Sequence, residues 1–264
     1  MELTLKSAAC QHASLMDIPV SVSSHQEVIT AIDRRIRNHQ HGGYISITNT
    51  ESMYHALRRP EHMAFIRQSD ISLCDGVGVI AAGAFWGLKI DRYNGPILQL
   101  DCSAHGQNRA WRHFFYGGKE GVAEQMAEKL KEQFPRLQVV GTYCPPFREL
   151  TAAEDDDVVR MINATQPDIV WVGLGLLKQE AWIAAHLNRV EVPWMVGVGA
   201  AFDYHSGAVP WAPRWIRSLG LEWLFRLIVQ PRLRARRYWW SLLFVLEAAR
   251  AAVKQRISAL LRRD

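Results

Sequence analysis

Residues 167–207 show the clearest pattern of hydrophobic and polar positions in the chain. Residues 168–174 form a short, apolar, β-branched run, and residues 194–198 form another apolar run, which predicts two buried strands. Between these runs, apolar side chains recur at helical spacing from Lys178 onward, which predicts a helix. A strand, a helix and a second strand build a parallel sheet, and ligands bind at the carboxyl ends of its strands.

The same alternation of short apolar runs and helical spacing extends through the rest of the body. Further strands are predicted over residues 15–22, 44–48, 71–74, 111–116 and 137–143. Residues 1–13 show neither pattern and are predicted to be a loose leader. This succession of elements predicts a doubly wound α/β fold with a mostly parallel, Rossmann-like sheet.

The end of the chain mixes apolar side chains with arginines. We predict a helix over residues 213–229, a break at Pro231 and one long helix over residues 233–261. Aromatic side chains flanked by arginines are typical of a helix lying in a membrane interface; the alternatives are a core helix and a contact between copies in a homo-oligomer. We therefore divide the chain into an α/β core, residues 1–211, and a basic helical membrane-docking appendage, residues 212–264, which is called here the tail.

Charge is unevenly distributed along the chain. The formal net charge is +5, but residues 212–264 carry 12 basic and 3 acidic residues, a net charge of +9, against 19 basic and 23 acidic residues elsewhere, a net charge of −4. A basic, aromatic tail on a nearly neutral body predicts an anionic partner, either a membrane or nucleic acid. On a membrane, the aromatic face expected to enter the headgroup region comprises Trp239, Trp240, Leu243 and Phe244.

Composition narrows the class of protein and its compartment. With 48% hydrophobic and 22% charged residues, a chain of 264 residues can form a sizeable core. The four cysteines show neither a CxxC motif nor metal-ligand spacing, which favours a reducing cytoplasm. The N-terminus lacks the apolar segment of a signal peptide, and no run approaches the roughly 20 apolar residues of a membrane-spanning helix. We therefore expect a cytoplasmic protein.

Asp75 stands where a predicted buried strand meets a glycine turn, Asp75-Gly76-Val77-Gly78. This position places a side chain in the crevice at the carboxyl edge of a parallel sheet. A carboxylate in such a crevice can serve as a general base. Asp-Gly is also a common turn pair, so both interpretations stay open at this point.

Glycine-rich turns after two predicted strands are candidates for binding phosphate. Gly117-Gly118-Lys119 follows a strand and opens a helix, an arrangement that presents backbone N–H groups to a phosphate. Gly173-x-Gly175 is a weak dinucleotide signal, because Lys178 stands where the fingerprint needs a third glycine or an alanine. Nucleotide-diphosphate binding is consistent with these turns, although simple β–α turns have the same composition.

Acidic and histidine residues give no metal signature. Asp155-Asp156-Asp157 formally satisfies the D-x-D pattern of metal-dependent sugar transferases. It lies in the first turn of a helix that opens at Thr151, however, where acids are favoured by the helix dipole. The ten histidines form no ligand cluster. We therefore expect neither a metal ion nor another cofactor.

Several of these motifs together resemble the WecG/TagA/CpsF family, glycosyltransferase family 26. The matching residues run from about residue 18 to residue 238. They are Asn49-x-Glu51, Asp75-Gly76-Val77-Gly78, Arg92-x-x-Gly95, Tyr116-Gly117-Gly118, Gly141-x-Tyr143-x-Pro145-Pro146-Phe147, Pro167-Asp168, Val172-Gly173-Leu174-Gly175-x-x-Lys178-Gln179-Glu180, Val198-Gly199-Ala200-Ala201-Phe202-Asp203-x-x-x-Gly207, Ala212-Pro213-x-Trp215, Gly220-Leu221-Glu222-Trp223-x-x-Arg226-Leu227, and the run from Pro231-Arg232 to Arg236-Arg237-Tyr238.

The resemblance implies an inverting, metal-independent transferase. It implies transfer of a sugar from a UDP-sugar to a polyprenyl-diphosphate-linked saccharide, during synthesis of bacterial surface polysaccharide or cell-wall polymer. N-acetylmannosamine is the common donor sugar of the family, with glucose and uronic acids among its relatives. The resemblance also implies a peripheral protein on the cytoplasmic face of the inner membrane, with no nucleic-acid partner and an appendage that closes over the site.

Catalytic roles are accordingly expected for Asp75, the base, and Asn49. Inversion needs one base and positive groups that hold the leaving diphosphate. The expected substrate-binding residues are Gln179, Lys178, Gly117, Gly118, Gly175, Asp203, Arg92, Arg226, Arg232 and Arg237.

Three positions depart from the family pattern. Ile47 replaces a frequent threonine, Ile97 replaces a common acid, and Trp211 replaces a frequent arginine. We expect Ile47 and Ile97 to lie near the pocket, where they bear on sugar specificity. Two other classes of protein remain as alternatives. One is a nicotinamide-dependent oxidoreductase, which needs a G-x-G-x-x-G that is missing early in the chain. The other is a non-catalytic membrane adaptor, which needs no carboxylate in a glycine-lined crevice.

Overall fold

The computed structural model of the chain describes residues 4–7 and 10–261. Its strands are β1 (Thr4–Ser7), β2 (Cys10–Leu15), β3 (Ile18–Ser21), β4 (Gly43–Thr48), β5 (Ile71–Cys74), β6 (Arg112–Gly117), β7 (Gln138–Tyr143), β8 (Ile169–Gly173) and β9 (Trp194–Gly197). Its helices are α1 (His25–Arg37), α2 (Thr50–Ala56), α3 (Pro60–Gln68), α4 (Val77–Phe85), α5 (Gly95–Gly106), α6 (Val122–Gln133), α7 (Ala152–Ala164), α8 (Lys178–His186), α9 (Ala201–Ser206), α10 (Arg214–Ser218), α11 (Glu222–Val229) and α12 (Pro231–Leu260).

Strands β4 to β9 form one six-stranded sheet in the order β5-β4-β9-β8-β6-β7, and each neighbouring pair is parallel. Helices connect the strands, so the predicted doubly wound α/β fold is confirmed. Val170 and Trp171 are both fully buried, yet these neighbours on β8 belong to different apolar clusters. Because successive side chains of a strand point to opposite faces, the sheet carries a core on each face.

The N-terminal region differs from the prediction. Within the described part of residues 1–13, β1 and β2 are paired strands rather than a loose leader. The predicted strand over residues 15–22 is interrupted by a turn at Met16 and Asp17, whose φ angles are 53° and 64°. The strand β3 then pairs antiparallel with β2, so these strands form a separate three-stranded sheet. Apolar periodicity alone did not reveal the turn.

The described part of the tail, residues 212–261, contains three helices where two were predicted. The predicted helix over residues 213–229 is divided into α10 and α11 by Gly220, which has a φ of 72°. A left-handed conformation of this kind ends a helix at little cost only when the residue is glycine. The long helix α12 begins at Pro231, where the missing N–H of proline is tolerated in the first helical turn.

Two faces of α12 have different surroundings. Phe244 and Ala248 are fully buried and belong to the same apolar cluster as residues of β2 and β5. Trp240 is partly buried and stacks on Tyr54 of α2, with ring centres 4.9 Å apart. The prediction that Phe244 enters a membrane is therefore wrong, because that side of the helix packs on the body. Trp239, on the other side, is 57% exposed.

Within residues 4–7 and 10–261, no helix combines the length and the apolar character that crossing a membrane requires.

Candidate active site

The carboxyl ends of β4 and β5 hold Asn49 and Asp75. Thr48 pairs in register with Cys74, so the residues that follow them leave the sheet side by side. The Asp75 N–H donates to the Thr48 carbonyl at 3.0 Å. Asn49 Oδ1 accepts from the Ser52 N–H at 2.9 Å and caps α2, which fixes the orientation of its side chain.

A cavity of about 320 Å³ opens beside Asp75 and is called here the Asp75 cavity. One wall comes from the turns after β4 and β5, and another comes from α11 and α12. Its polar lining residues are Asn49, Thr50, Glu51, Asp75, Arg92, Glu222, Arg226, Arg234, Arg237, Tyr238 and Ser241. The tail therefore forms part of the cavity that contains the predicted base.

Arg92 and Glu222 connect Asp75 to the tail through a chain of charges. Arg92 Nε lies 3.6 Å from Asp75 Oδ1, and the same guanidinium forms an ion pair with Glu222. Glu222, only 3% exposed, forms a second ion pair with Arg226. Burial raises the pKa of Glu222, but the charges of Arg226 and Arg92 outweigh it and hold the pKa below its ordinary value. The ionised carboxylate thus holds both guanidinium groups in the cavity wall.

The Asp75 carboxylate is not engaged in an ion pair at hydrogen-bonding distance. Its 3.6 Å separation from Arg92 Nε exceeds the range of N–H···O hydrogen bonds, about 2.7–3.2 Å. Its side chain is 19% exposed, toward the cavity that it lines. An oxygen of Asp75 is therefore available to accept a proton from a bound hydroxyl group.

Arg234 is the cavity residue that sequence interpretation missed. It is 8% exposed, and its guanidinium donates to Gln230 Oε1 at 3.1 and 3.3 Å. Among the described residues, no carboxylate lies within ion-pair distance of it. Burial lowers the pKa of Arg234, and the neighbouring charges of Arg226 and Arg237 lower it further. A buried guanidinium without a carboxylate at ion-pair distance is suited to receive an anion.

Helix geometry separates the arginines of α12. Arg237 Nε donates to Glu51 Oε2 at 2.5 Å, which joins α12 to α2. Arg234 precedes it by three residues, so the two share a helix face and both line the Asp75 cavity. Arg232 does not line this cavity but a neighbouring concavity, and its expected role in substrate binding stays a prediction. The three-residue spacing is the signal that identifies Arg234 in the sequence.

Gln179 and Glu180 lie in the first turn of α8, the helix that follows β8, and are 5% and 7% exposed. Gln179 Nε2 donates to Glu180 Oε1 at 3.2 Å. A Cβ atom on Gly197 would lie 2.8 Å from Gln179 Nε2, so glycine at that position makes room for the amide. Leu177, just before them, has a φ of 69°, a strained conformation for leucine that is common at functional sites. Neither polar residue lines the Asp75 cavity.

The buried carboxyl group of Glu180 is expected to make the free energy of unfolding depend on pH. Burial raises its pKa from 4.5 to about 7. Between about pH 5 and pH 7 the unfolded chain loses this proton while the folded protein keeps it, so stability falls as the pH rises through that window. Between the two pH values the wild type should lose about 3 kcal/mol more of its unfolding free energy than Glu180→Gln does. The measurement is urea unfolding at pH 5 and pH 7.5. Glu191→Gln, at an exposed site, is the control, and equal pH slopes in wild type and Glu180→Gln would contradict the prediction.

The glycine turn after β6 is built differently from the predicted phosphate cradle. The Gly118 N–H donates to the Gly173 carbonyl at 3.0 Å, so it is not free to bind a phosphate. Gly117 has a φ of 117°, and a Cβ atom there would lie 2.7 Å from the Gly173 carbonyl oxygen. Gly117 thus allows β6 and β8 to approach closely where they end. Gly175, with a φ of 86°, borders open space.

Asp203 and Lys178 occupy different settings. Burial raises the pKa of Asp203, although the charges of Lys119 and Arg234 partly offset this effect. The Asp203 carboxyl group therefore interacts electrostatically with Arg234, which lines the Asp75 cavity. Lys178 is exposed, and its Nζ lies 5.1 Å from the centre of the Phe147 ring.

Comparison with known sequences decides the family. The sequence profile of the Glycosyl transferase WecG/TagA/CpsF family matches residues 13–258. The chain belongs to this family. It is therefore a glycosyltransferase, and the oxidoreductase and adaptor alternatives are set aside.

Three curated relatives of this transferase share one name, N-acetylglucosaminyldiphosphoundecaprenol N-acetyl-beta-D-mannosaminyltransferase. One from Bacillus spizizenii is 29% identical over 191 residues, 72% of each chain. One from Bacillus subtilis is 26% identical over 222 residues, 84% of this chain and 85% of the relative. One from Staphylococcus aureus (strain NCTC 8325 / PS 47) is 28% identical over 187 residues, 70% of this chain and 72% of the relative.

The positions at which this transferase departs from the family pattern lie outside the Asp75 cavity lining. Ile47 and Ile97 pack against an apolar core cluster. Trp211 receives the Arg217 guanidinium over its ring at 3.8 Å, and its ring centre lies 6.0 Å from that of Tyr204. Any effect of these residues on the cavity is therefore transmitted through packing.

The acidic run of the transferase has a structural role. Asp155 pairs with His186 at 3.0 Å and with Arg189 at 2.5 Å, and Asp156 also pairs with Arg189. The capping box at Thr151 confirms that these acids lie near a helix start. Within the described residues, no group of three His, Cys, Asp or Glu side chains is placed to hold a metal ion.

Proposed function

We propose that this transferase moves a sugar, N-acetylmannosamine first among the candidates, from a UDP-sugar to a saccharide linked to polyprenyl diphosphate. The names of the Bacillus and Staphylococcus relatives support both the sugar and the class of acceptor. Glucose and uronic acids are the other donor sugars to test. The product belongs to a bacterial surface polysaccharide or cell-wall polymer.

The observation that carries the proposal is one carboxylate without a hydrogen-bonded partner among several guanidinium groups. Among the described residues that line the Asp75 cavity, Glu51 and Glu222 are held in ion pairs, whereas Asp75 has no partner at hydrogen-bonding distance. Arg92, Arg226, Arg234 and Arg237 supply the positive charge. One base and a cationic surface are what a single-displacement transfer from a nucleoside diphosphate requires.

The transfer proceeds with inversion in a single step. The acceptor hydroxyl oxygen forms a bond to the anomeric carbon of the donor sugar while the bond from that carbon to the diphosphate oxygen breaks. Asp75 takes the hydroxyl proton, and the electron pair of the broken bond leaves with the nucleoside diphosphate. Arg226 and Arg234 line the same cavity and stabilise the charge that develops on this leaving group.

The surface around the cavity mouth supports membrane docking. Trp223 and Leu242 line the cavity and are 43% and 51% exposed. Further exposed apolar residues of the tail are Trp215, Leu219, Ile228, Trp239 and Leu246. Each basic residue beside an anionic membrane contributes about 1 kcal/mol, so the arginines of the tail can attach the enzyme peripherally, and we place it on the cytoplasmic face of the inner membrane.

The test is transfer of radiolabelled sugar from UDP-N-acetylmannosamine, UDP-glucose and UDP-glucuronic acid to N-acetylglucosamine linked to a short prenyl diphosphate. We expect UDP-N-acetylmannosamine to give the highest kcat/KM, and NMR of the product to show an inverted anomeric centre. Retention of configuration would contradict the single-step mechanism. Transfer from none of the three donors would contradict the proposed function.

We predict that catalysis needs no metal ion. The arginines of the Asp75 cavity supply the charge that a metal supplies in other sugar transferases, and Asp155 and Asp156 are held in ion pairs. Turnover in EDTA should therefore stay within about twofold of turnover in magnesium or manganese. Loss of activity in EDTA, with recovery on adding either metal, would contradict this prediction.

A further inference from the structure

A second concavity of about 730 Å³ adjoins the Asp75 cavity and is called here the outer concavity. It lies between the end of α2, the start of α3 and the first turns of α12. Its basic lining residues are Arg58, Arg59, Arg232, Arg236, Arg237 and His55. Glu51 is the acid of the lining, and Glu51 and Arg237 line both cavities.

Positive charge in the outer concavity is largely uncompensated. Arg58 pairs with Glu247, and Arg237 pairs with Glu51. Arg59, Arg232 and Arg236 have no ion-pair partner among the described residues, and all three are exposed. Guanidinium groups gathered around one concavity repel each other, and this repulsion is relieved when a polyvalent anion binds.

One side of the outer concavity is rigid and aromatic. The ring centres of Tyr54 and Trp240 lie 4.9 Å apart, and the Arg58 guanidinium lies 3.6 Å from the centre of the Tyr54 ring. Stacked side chains of this kind lose little further freedom when a ligand binds. Trp239, next to Trp240, is exposed, so the basic site adjoins an apolar surface. This combination suits a charged group attached to a hydrocarbon chain.

The proposed reaction brings two diphosphates to the protein, one on the nucleotide donor and one on the lipid-linked acceptor. Their mutual repulsion requires two separate sets of cations. The acceptor hydroxyl must reach Asp75, while the acceptor diphosphate is attached to another carbon of its sugar and so must bind outside the position of attack. The outer concavity, next to the Asp75 cavity, meets this requirement.

We propose that the outer concavity binds the diphosphate of the lipid-linked acceptor, while the Asp75 cavity holds the diphosphate of the donor. This inference rests on the proposed function for the identity of its ligand. Arg59 from the core and Arg236 from α12 approach the diphosphate from two elements. The site therefore selects an acceptor by its diphosphate as well as by its sugar.

The kinetic test uses the double variant Arg59→Ala/Arg236→Ala in the full chain, with N-acetylglucosamine linked to a short prenyl diphosphate and no membrane. The acceptor KM should rise about 10- to 100-fold, because two hydrogen-bonded charges are lost, while the donor KM stays unchanged. A neutral alkyl glycoside of N-acetylglucosamine, which lacks the diphosphate, should react equally with both wild type and the double variant.

The matched control is Arg250→Ala/Lys254→Ala, which removes the same charge from an exposed part of α12. An unchanged acceptor KM, or an equal loss with the neutral acceptor, would overturn the proposal.

A binding test needs no turnover and so separates this proposal from the proposed function. The probe is radiolabelled geranyl diphosphate in equilibrium dialysis, with saturating UDP to fill the donor position. Wild type and the control variant should bind it equally, and Arg59→Ala/Arg236→Ala should bind it at least about tenfold more weakly. Equal binding by all three proteins would overturn the subsite. Selective loss of binding to phosphatidylglycerol vesicles, with unchanged binding of geranyl diphosphate, would assign the concavity to a phospholipid headgroup and overturn it as well.

Discussion

Asp75→Asn is expected to lower kcat by about 10²–10⁴-fold, because the amide keeps the shape of the carboxylate but cannot accept the proton of the acceptor hydroxyl. The Asp75 carboxylate makes no hydrogen bond to Arg92, so its removal breaks no short ion pair in the cavity wall. The measurement is single-turnover transfer from the preferred UDP-sugar, together with calorimetry of UDP binding. UDP affinity should change little, since the nucleotide is held by the arginines.

Asp157→Asn is the matched control for this experiment. Asp157 is an exposed residue paired with Arg160 in the first half of α7, far along the chain from the cavity residues. Its variant should turn over at the wild-type rate. Near-normal turnover in Asp75→Asn would remove Asp75 from the mechanism and leave the cavity without a base.

Arg234→Met is expected to lower kcat/KM by about 10²–10³-fold, the effect of removing one donor to a developing charge. The same change should leave the free energy of unfolding unchanged or higher. Arg234 is buried without a carboxylate partner among the described residues, and burial lowers its pKa. A methionine fills similar space without the cost of burying a charge. The measurements are steady-state kinetics and urea unfolding on the same preparation.

Glu222→Gln provides the contrast to Arg234→Met. Glu222 is buried between Arg92 and Arg226, and its loss leaves two partly buried guanidinium groups without their short ion pairs. Breaking a buried pair in this way typically costs about 3–5 kcal/mol of stability. Arg250→Met, at an exposed site on α12, should alter neither quantity. If Arg234→Met destabilised the fold as much as Glu222→Gln, Arg234 would be a structural residue rather than an anion-binding one.

The fold could be predicted from the sequence where hydrophobic periodicity alone determines an element. The run that includes Val170 and Trp171 is apolar throughout because β8 is buried on both faces. Periodicity did not reveal the turn at Met16 and Asp17, since neither residue type favours a left-handed conformation strongly enough to interrupt a strand prediction. Gly220 carried a signal that the prediction of one helix over residues 213–229 did not use, because glycine within a helical pattern costs stability and marks a helix end.

The site could be predicted only in part, because its charges come from distant parts of the chain. Asp75 was identifiable from its place after a predicted strand and Asn49 from the family resemblance, and the register of β4 with β5 brings them together. The bridging role of Glu222 depends on how α11 lies against Arg92, which no local pattern records. Arg232 and Arg234 have similar neighbours in the sequence, and the three-residue spacing from Arg237 singles out Arg234 only once Arg237 is known to line the cavity.

Arg237 lies on the boundary between the Asp75 cavity and the outer concavity, paired with Glu51. An anion that draws this guanidinium to either side leaves Glu51 without its counter-charge and leaves one cation fewer for an anion on the other side. Occupancy of one cavity then lowers the affinity of the other. Thermodynamic linkage requires this effect to be reciprocal, so the donor weakens acceptor binding by the same factor by which the acceptor weakens donor binding. If the two cavities hold the two diphosphates as proposed, this single ion pair gives the two binding events negative cooperativity without any movement of the fold.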